Sequence, residues 1–228
     1  MASRLPIAAA VACLPWCATA TAADLVQPWA PGLSELEVFV THENGQDEPQ
    51  WSALVGGMLV PGLSVGVAFQ YADGRTSRLG AVAIWTTEFS SRTSVDVWGE
   101  VGLDRTPVEA ELGAVSFAAG AEWSRDLGGA IPYSRASYTV DDDVGSAHTL
   151  LGLKIPIGSL VELHIEASSR EPEFGPWPLH LAVGPNIVLS PTLKLLPEVS
   201  WIHDRAASES TWVLTFGVCM DPRQILAR

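Results

Sequence analysis

The chain has 228 residues and a formal net charge of −13 at pH 7, yet charged residues make up only 17% of it and its mean hydropathy is +0.21. A hydrophobic fraction of 47% excludes an intrinsically disordered chain, which needs low hydrophobicity. The negative charge, with Lys154 and Lys194 as the only lysines, argues against nucleic acid as a partner, because phosphate binding relies on basic side chains. A large apolar surface must therefore be buried, in a core or in lipid.

Residues 1–22 have the parts of a secretory signal peptide. Arg4 precedes an apolar run over 5–14, and small residues follow up to Ala22. The run is too short to span about 30 Å of hydrocarbon. We expect cleavage near Ala22, with processing at Cys13 as a lipoprotein the alternative. Cleavage near Ala22 would leave Cys219 as the only cysteine, so no internal disulfide is expected.

From residue 34 to residue 220 apolar and polar residues alternate with a period of two. Residues 64–71, for example, place Val65 and Val67 on one face and Ser64 and Gly66 on the other. This alternation is typical of β-strands with one apolar face. The pattern predicts twelve strands, over residues 34–42, 51–60, 64–72, 78–88, 94–104, 109–123, 131–140, 147–157, 160–170, 177–189, 193–203 and 211–220.

The predicted connections alternate between short and long. The shorter ones, which carry little charge, are residues 61–63, 90–92, 124–130, 158–159 and 190–192. The longer, polar and mostly acidic ones are residues 42–50, 73–77, 105–108, 141–146, 171–176 and 204–210. This order indicates an up-and-down antiparallel sheet with its tight turns at one end. Residues 23–33 are expected to form a short periplasmic lead-in, residues 34–220 the barrel, and residues 221–228 a C-terminal tail.

Aromatic and small residues favour a barrel that spans a membrane. Aromatic rings cluster at predicted strand ends, where two interfacial girdles are expected. Those near the long loops are Trp51, Tyr71, Tyr138, Trp177, Trp201 and Trp212, and those near the short turns are Trp85, Phe89 and Tyr133. Small residues such as Gly66, Gly80, Gly152 and Gly217 lie on the polar face and suit a crowded interior.

These features resemble the Gram-negative outer-membrane β-barrel class over about residues 33–220, through their pattern and without a subfamily motif. The resemblance implies an all-β, up-and-down antiparallel transmembrane β-barrel of about 12 strands (10–12) in the cell outer membrane. The bilayer would be its partner, and the polar face would line a lumen. Such barrels commonly end at an aromatic residue, whereas here Phe216 is followed by Gly217-Val218-Cys219-Met220 and the tail. A soluble periplasmic β-barrel that binds a small ligand is the alternative.

The polar faces of the predicted strands carry an excess of carboxylates. The lumen-lining candidates are Glu35, Glu37, Asp96, Glu100, Lys154, Glu162, His164, Glu166, Arg170, His180, Lys194 and Glu198. If the lumen is open, this charge favours passive passage of small solutes, with cations preferred over anions. If the carboxylates are paired with basic side chains, they instead brace a closed structural or interaction barrel with acidic surface loops.

Neither a cofactor nor a metal is expected, because the histidines lack a close ligand spacing such as H-x-x-x-H. The acidic run at residues 141–143 is predicted to be a solvated loop. His42 and His203, each followed by a carboxylate, suggest a surface hydrolase, but their neighbours Thr41 and Ile202 supply no serine. We therefore expect no enzyme activity. The protein is also expected to be a monomer.

Overall fold

The computed structural model describes residues 32–44, 49–72, 76–105, 115–141, 144–172, 179–190, 192–204 and 208–221. The described part of the chain forms twelve β-strands. They are β1 (Gly32–Glu43), β2 (Gln50–Val60), β3 (Leu63–Ala72), β4 (Thr76–Ser90), β5 (Thr93–Arg105), β6 (Val115–Arg125), β7 (Ile131–Asp141), β8 (Val144–Ile157), β9 (Val161–Pro172), β10 (Leu179–Ser190), β11 (Leu193–Asp204) and β12 (Glu209–Met220). The expected leader over residues 1–22 and most of the expected tail lie outside the described residues.

Each strand pairs antiparallel with the next, and β12 pairs with β1 to close the sheet into a barrel. Closure leaves no open sheet edge, so every strand satisfies its backbone hydrogen bonds inside the sheet. The predicted all-β, up-and-down, twelve-stranded barrel is confirmed. None of the described residues belongs to a helix long and apolar enough to cross a membrane.

Short connections lie at one end of the barrel, which we call the tight-turn end. They are residues 61–62, 91–92, 126–130, 158–160 and 191–192. Gly62 and Gly158 have φ angles of 83° and 72°, in a region that residues with a Cβ rarely adopt. The first residues of β1 and the last of β12 also lie at this end. We call the opposite ends of the strands the loop end.

Most observed strand bounds lie within two residues of the predicted ones. β6 is described from Val115, and the predicted start of this strand at residue 109 lies outside the described part. The predicted loop over residues 141–146 was wrong. Asp141 pairs with Val144 and Val140 with Gly145, so the strand ladder continues almost to the tip of this hairpin. Backbone pairing extends through residues whose acidic and small side chains suggested a loop.

The outward face of the barrel is apolar along its whole circumference. Outward side chains on five different strands are between 43% and 68% exposed: Val67, Val97, Leu151, Leu181, Leu214 and Phe216. A closed ring of exposed aliphatic side chains is unfavourable in water but suits the hydrocarbon of a bilayer. The barrel is therefore built to span a membrane, with its polar face inside.

Aromatic side chains mark both rims of this face. Trp85 and Phe89 are exposed near the tight-turn end, and Trp51, Tyr71, Tyr138 and Trp212 near the loop end. Tyr133 is a correction to the predicted girdle. It is only 2% exposed and points into the barrel, because it occupies an inward position of β7, as Arg135 also does.

Candidate functional site in the barrel interior

Charged side chains crowd the interior, and carboxylates outnumber basic groups among the described side chains. The inward acidic residues are Glu37, Glu43, Asp96, Glu100, Glu122, Glu162, Glu166 and Glu198. The inward lysines and arginine are Arg135, Lys154 and Lys194, and the inward histidines are His148, His164 and His180. Inward charges need partners or water, since an unpaired buried charge is costly. Their pairing therefore determines what the interior can do.

Three strands contribute a charged cluster built from Asp96, Glu122 and Arg135. The register places Asp96 of β5 opposite Glu122 of β6, and Glu122 opposite Arg135 of β7. Arg135 donates from Nε and Nη2 to Glu122 Oε2, at 2.9 and 2.7 Å. Asp96 Oδ1 and Glu122 Oε1 have no hydrogen-bond partner among the residues the structure describes. Arg135 is thus paired with Glu122, and Asp96 lies opposite Glu122 on the next strand.

A second cluster joins β7, β8 and β9. The Tyr133 hydroxyl donates to Glu166 Oε1 at 2.5 Å. Lys154 Nζ lies 5.4 Å from the centre of the Tyr133 ring, a cation–π distance. Lys154 is 1% exposed and pairs in register with His164. Tyr133 therefore hydrogen-bonds the Glu166 carboxylate through its hydroxyl and contacts the Lys154 ammonium through its ring.

A third cluster lines β9, β10 and β11. His164 Nε2 lies 3.1 Å from Glu198 Oε2, and Ser200 donates to Glu198 Oε1 at 2.7 Å. Asn186 Nδ2 donates to Glu162 Oε1 at 3.0 Å. In the described part of the chain, Asn186 Oδ1 accepts no hydrogen bond although the residue is only 7% exposed. Glu162 and Glu198 are therefore each hydrogen-bonded to a side chain of another strand.

Glycines create the space that these rings occupy. Inward rings lie over the glycine paired with them on the next strand: Phe39 over Gly217, Trp98 over Gly120, Tyr133 over Gly152 and His164 over Gly184. A Cβ at any of these four glycines would collide with the paired ring. Each ring fills the space that a side chain at the paired glycine would occupy.

Part of the interior is apolar. Leu54, Ala68, Ile84 and Trp98, on the adjacent strands β2 to β5, form a buried cluster that we call the apolar wall. The register pairs Leu54 with Ala68 and Ile84 with Trp98. The interior is therefore mixed. This apolar surface lies on one side, a second buried apolar cluster joins β1, β11 and β12 through Phe39, Leu196 and Cys219, and charged clusters occupy much of the rest.

The structure gives the positions of most residues singled out from the sequence. The following face the interior: Glu37, Asp96, Glu100, Lys154, Glu162, His164, Glu166, His180, Lys194 and Glu198. A contact joins His164 to Glu198, whereas Glu166 contacts Tyr133. His180 contacts Ser168 nearer the loop end. The side chains of Glu35 and Arg170 lie outside the described part of the structure.

Sequence reasoning missed three buried charges, at Glu43, Glu122 and Arg135. Glu43 was assigned to a loop although β1 continues through it. Glu122 lies in the strand with the weakest alternation. Arg135 was missed because Tyr133, which shares its face at i and i+2 of the strand, was assigned to the outward girdle.

The two histidines of the hydrolase hypothesis lie outside the lumen. His42 is exposed on the outward face of β1. His203 Nδ1 lies 3.0 Å from Ser210 Oγ on β12, and the ring stacks on Trp201 with centroids 5.5 Å apart. The sequence neighbour Ile202 supplies no serine to His203, but register pairing brings Ser210 beside it from the next strand. Among the described residues, no cluster of three or more histidine, cysteine or carboxylate side chains could hold a metal ion.

Solved outer-membrane barrels share this fold. The NanC porin superposes with a TM-score of 0.66 at 9% identity, over 81% of this chain and 98% of the porin. The KdgM porin in complex with disordered oligogalacturonate gives 0.65 at 10% identity, over 82% and 98%. The COG4313 outer membrane channel from Pseudomonas putida F1 gives 0.58 at 10% identity, over 83% and 95%. The chain has the fold of an outer-membrane transmembrane β-barrel. No protein-family model matches it, and no curated protein matches its sequence.

Proposed function

We propose that the protein is an outer-membrane channel that passes small solutes passively and prefers cations. The excess of carboxylates on the described inward face carries this proposal. A narrow, negatively charged path concentrates cations and repels anions. The channel needs no cofactor, and the closed sheet allows it to work as a monomer. Export depends on the leader, with cleavage near Ala22.

The shared fold supports a channel, but it does not imply that this barrel takes the ligand of a compared porin. KdgM was solved with oligogalacturonate, an oligosaccharide that carries carboxylates. The interior of the present barrel has the same sign of charge as that ligand, so we do not extend this substrate to it. Small cations and small neutral solutes fit the interior better.

Close packing restricts the size of the solute. Arg135, Tyr133 and Lys154, on β7 and β8, are each 2% exposed or less. A path past such side chains admits only small molecules. The same observation supports a second candidate, a closed barrel whose interior charges brace its wall.

Proteoliposome swelling separates the two candidates. Folding is first checked by gel migration of unboiled and boiled samples, since a closed barrel resists detergent until it is heated. A channel gives faster swelling with a small neutral solute such as glycerol than with a trisaccharide of the raffinose type. A folded barrel whose vesicles swell no faster than protein-free vesicles would reject the channel and support the closed barrel.

Outer-membrane fractionation, with mass spectrometry of the mature N-terminus, tests the location and the cleavage site.

A further inference from the structure

The apolar wall is unusual for the inward face of a membrane-spanning barrel. Interiors of such barrels are normally polar, because apolar side chains belong on the lipid side. Here Leu54, Ile84 and Trp98 are each between 4% and 7% exposed although they point away from lipid. Met58, Val82 and Ala118 pack against them and are only partly buried. The apolar wall therefore extends towards the open part of the interior.

The opposite side of the barrel at the same height is charged. In a closed ring of twelve strands, the strand six places away lies across the interior, so β3 faces β9, β4 faces β10 and β5 faces β11. The apolar wall lies five or six residues from the tight-turn end of its strands. Glu166, Gly184 and Glu198 lie at the same distance on β9, β10 and β11. We call this side the acceptor wall.

The acceptor wall is suited to a hydrogen-bond donor with positive charge. Glu166 and Glu198 give it negative charge, with Tyr133 as the partner of Glu166 and with Ser200 and His164 as the partners of Glu198. Asn186 is buried on the same wall with an amide oxygen that accepts none within the described residues. An ammonium group supplies the N–H donors and the charge that such acceptors favour.

We propose that this part of the interior selects small organic cations with an apolar body, of the arylalkylammonium type. The ammonium group would contact the acceptor wall while the body covers the apolar wall and the partly buried side chains Met58, Val82 and Ala118 beside it. A metal ion makes no use of the apolar wall. A neutral apolar molecule gains nothing from the carboxylates, and an anion is repelled by them. The inference rests on the proposed function, since it takes the interior as the solute path.

The test is block of the potassium current through single barrels in a planar bilayer. The probes are phenethylammonium, ethylammonium and neutral 2-phenylethanol. Phenethylammonium should reduce the current at concentrations about tenfold lower than ethylammonium, because its phenyl group adds apolar contact. The neutral alcohol should block weakly. Equal block by the two ammonium ions would overturn the inference.

Two matched variants locate the effect. Ile84→Thr places a hydroxyl in the apolar wall, whereas Val213→Thr places one at an inward position near the loop end, on β12. The first should raise the blocking concentration of phenethylammonium about threefold or more, and the second should leave it unchanged. Leu54→Thr replaces Ile84→Thr if that variant shows no heat-dependent gel shift. Equal effects of the wall variant and Val213→Thr would also overturn the inference.

The outcomes keep the two proposals apart. A folded barrel without potassium current rejects the proposed channel and, with it, this inference. A barrel that conducts potassium but does not distinguish the two ammonium ions rejects the inference alone.

Discussion

Arg135 directs two N–H groups at a single carboxylate oxygen, Oε2 of Glu122, over 2.9 and 2.7 Å. Both side chains are almost completely buried, at 0% and 1% side-chain exposure. The pair fastens β6 to β7 inside the barrel and leaves Glu122 Oε1 without a hydrogen bond among the described residues. Removing either partner should destabilise the fold, because the remaining charge is then buried without water and without its partner.

Removal of the guanidinium should destabilise the barrel. Arg135→Met leaves Glu122 charged and unpaired, and we expect the free energy of unfolding to fall by about 3–5 kcal/mol. The measurement is urea unfolding of the folded barrel in lipid. Arg135→Met combined with Glu122→Met should recover most of the loss. Arg125→Met, at an exposed site on β6, is the control and should change stability by less than about 0.5 kcal/mol. Equal urea midpoints for Arg135→Met and Arg125→Met would show that the Arg135–Glu122 pair does not stabilise the barrel.

The ring-over-glycine contacts predict which glycines are essential. Gly152→Ala would place a methyl group where the Tyr133 ring lies, displacing the ring and its hydrogen bond to Glu166. We expect a loss of about 1–3 kcal/mol, typical of overpacking. Gly99→Ala is matched to it, since its Cβ would meet no atom nearer than 3.9 Å. If the unfolding curves of Gly152→Ala and Gly99→Ala coincide, Gly152 does not fix the position of the Tyr133 ring.

The outward face gives a test of membrane insertion. Leu214 is 54% exposed near the middle of β12, whereas Phe89 is 70% exposed at the tight-turn end of β4. In a bilayer, Leu214→Arg should cost about 2–4 kcal/mol, and Phe89→Arg about 0–1 kcal/mol, because the cost depends on depth. Folding titrations into lipid vesicles measure both. In a water-soluble barrel Leu214→Arg would be nearly neutral, and that result would exclude the transmembrane orientation.

Charge on the acceptor wall should set ion preference. Glu198→Gln removes a negative charge while the amide can still accept the hydrogen bond from Ser200. We expect the potassium-to-chloride permeability ratio to fall about twofold or more, as expected for a charge lining a narrow path. Glu88→Gln, an exposed site near the tight turn after β4, should change the ratio less. An equal effect at both sites would show that the mouth, and not the interior, selects ions.

The period of two explains why the fold was predictable. Each strand carries its own alternation, so the inward and outward faces of residues such as Val67 and Glu166 could be assigned without knowing their neighbours. Closure followed from the up-and-down order, since an open sheet of this length would leave two unpaired edges.

Contacts between strands were less predictable. The hydrogen bonds Arg135–Glu122 and Tyr133–Glu166 depend on the register between strands, which alternation does not encode. Tyr133 was assigned to the girdle because rings near strand ends usually meet the interface. Its inward position becomes clear only when Gly152 is seen opposite it on β8. The serine beside His203 was missed for the same reason.

The zero-current potential of single barrels in a potassium chloride gradient tests the central claim most directly. A cation-preferring channel gives steady conductance steps and a potential whose sign corresponds to potassium crossing faster than chloride. A potential of the opposite sign, or folded barrels that conduct neither ion, would contradict the account.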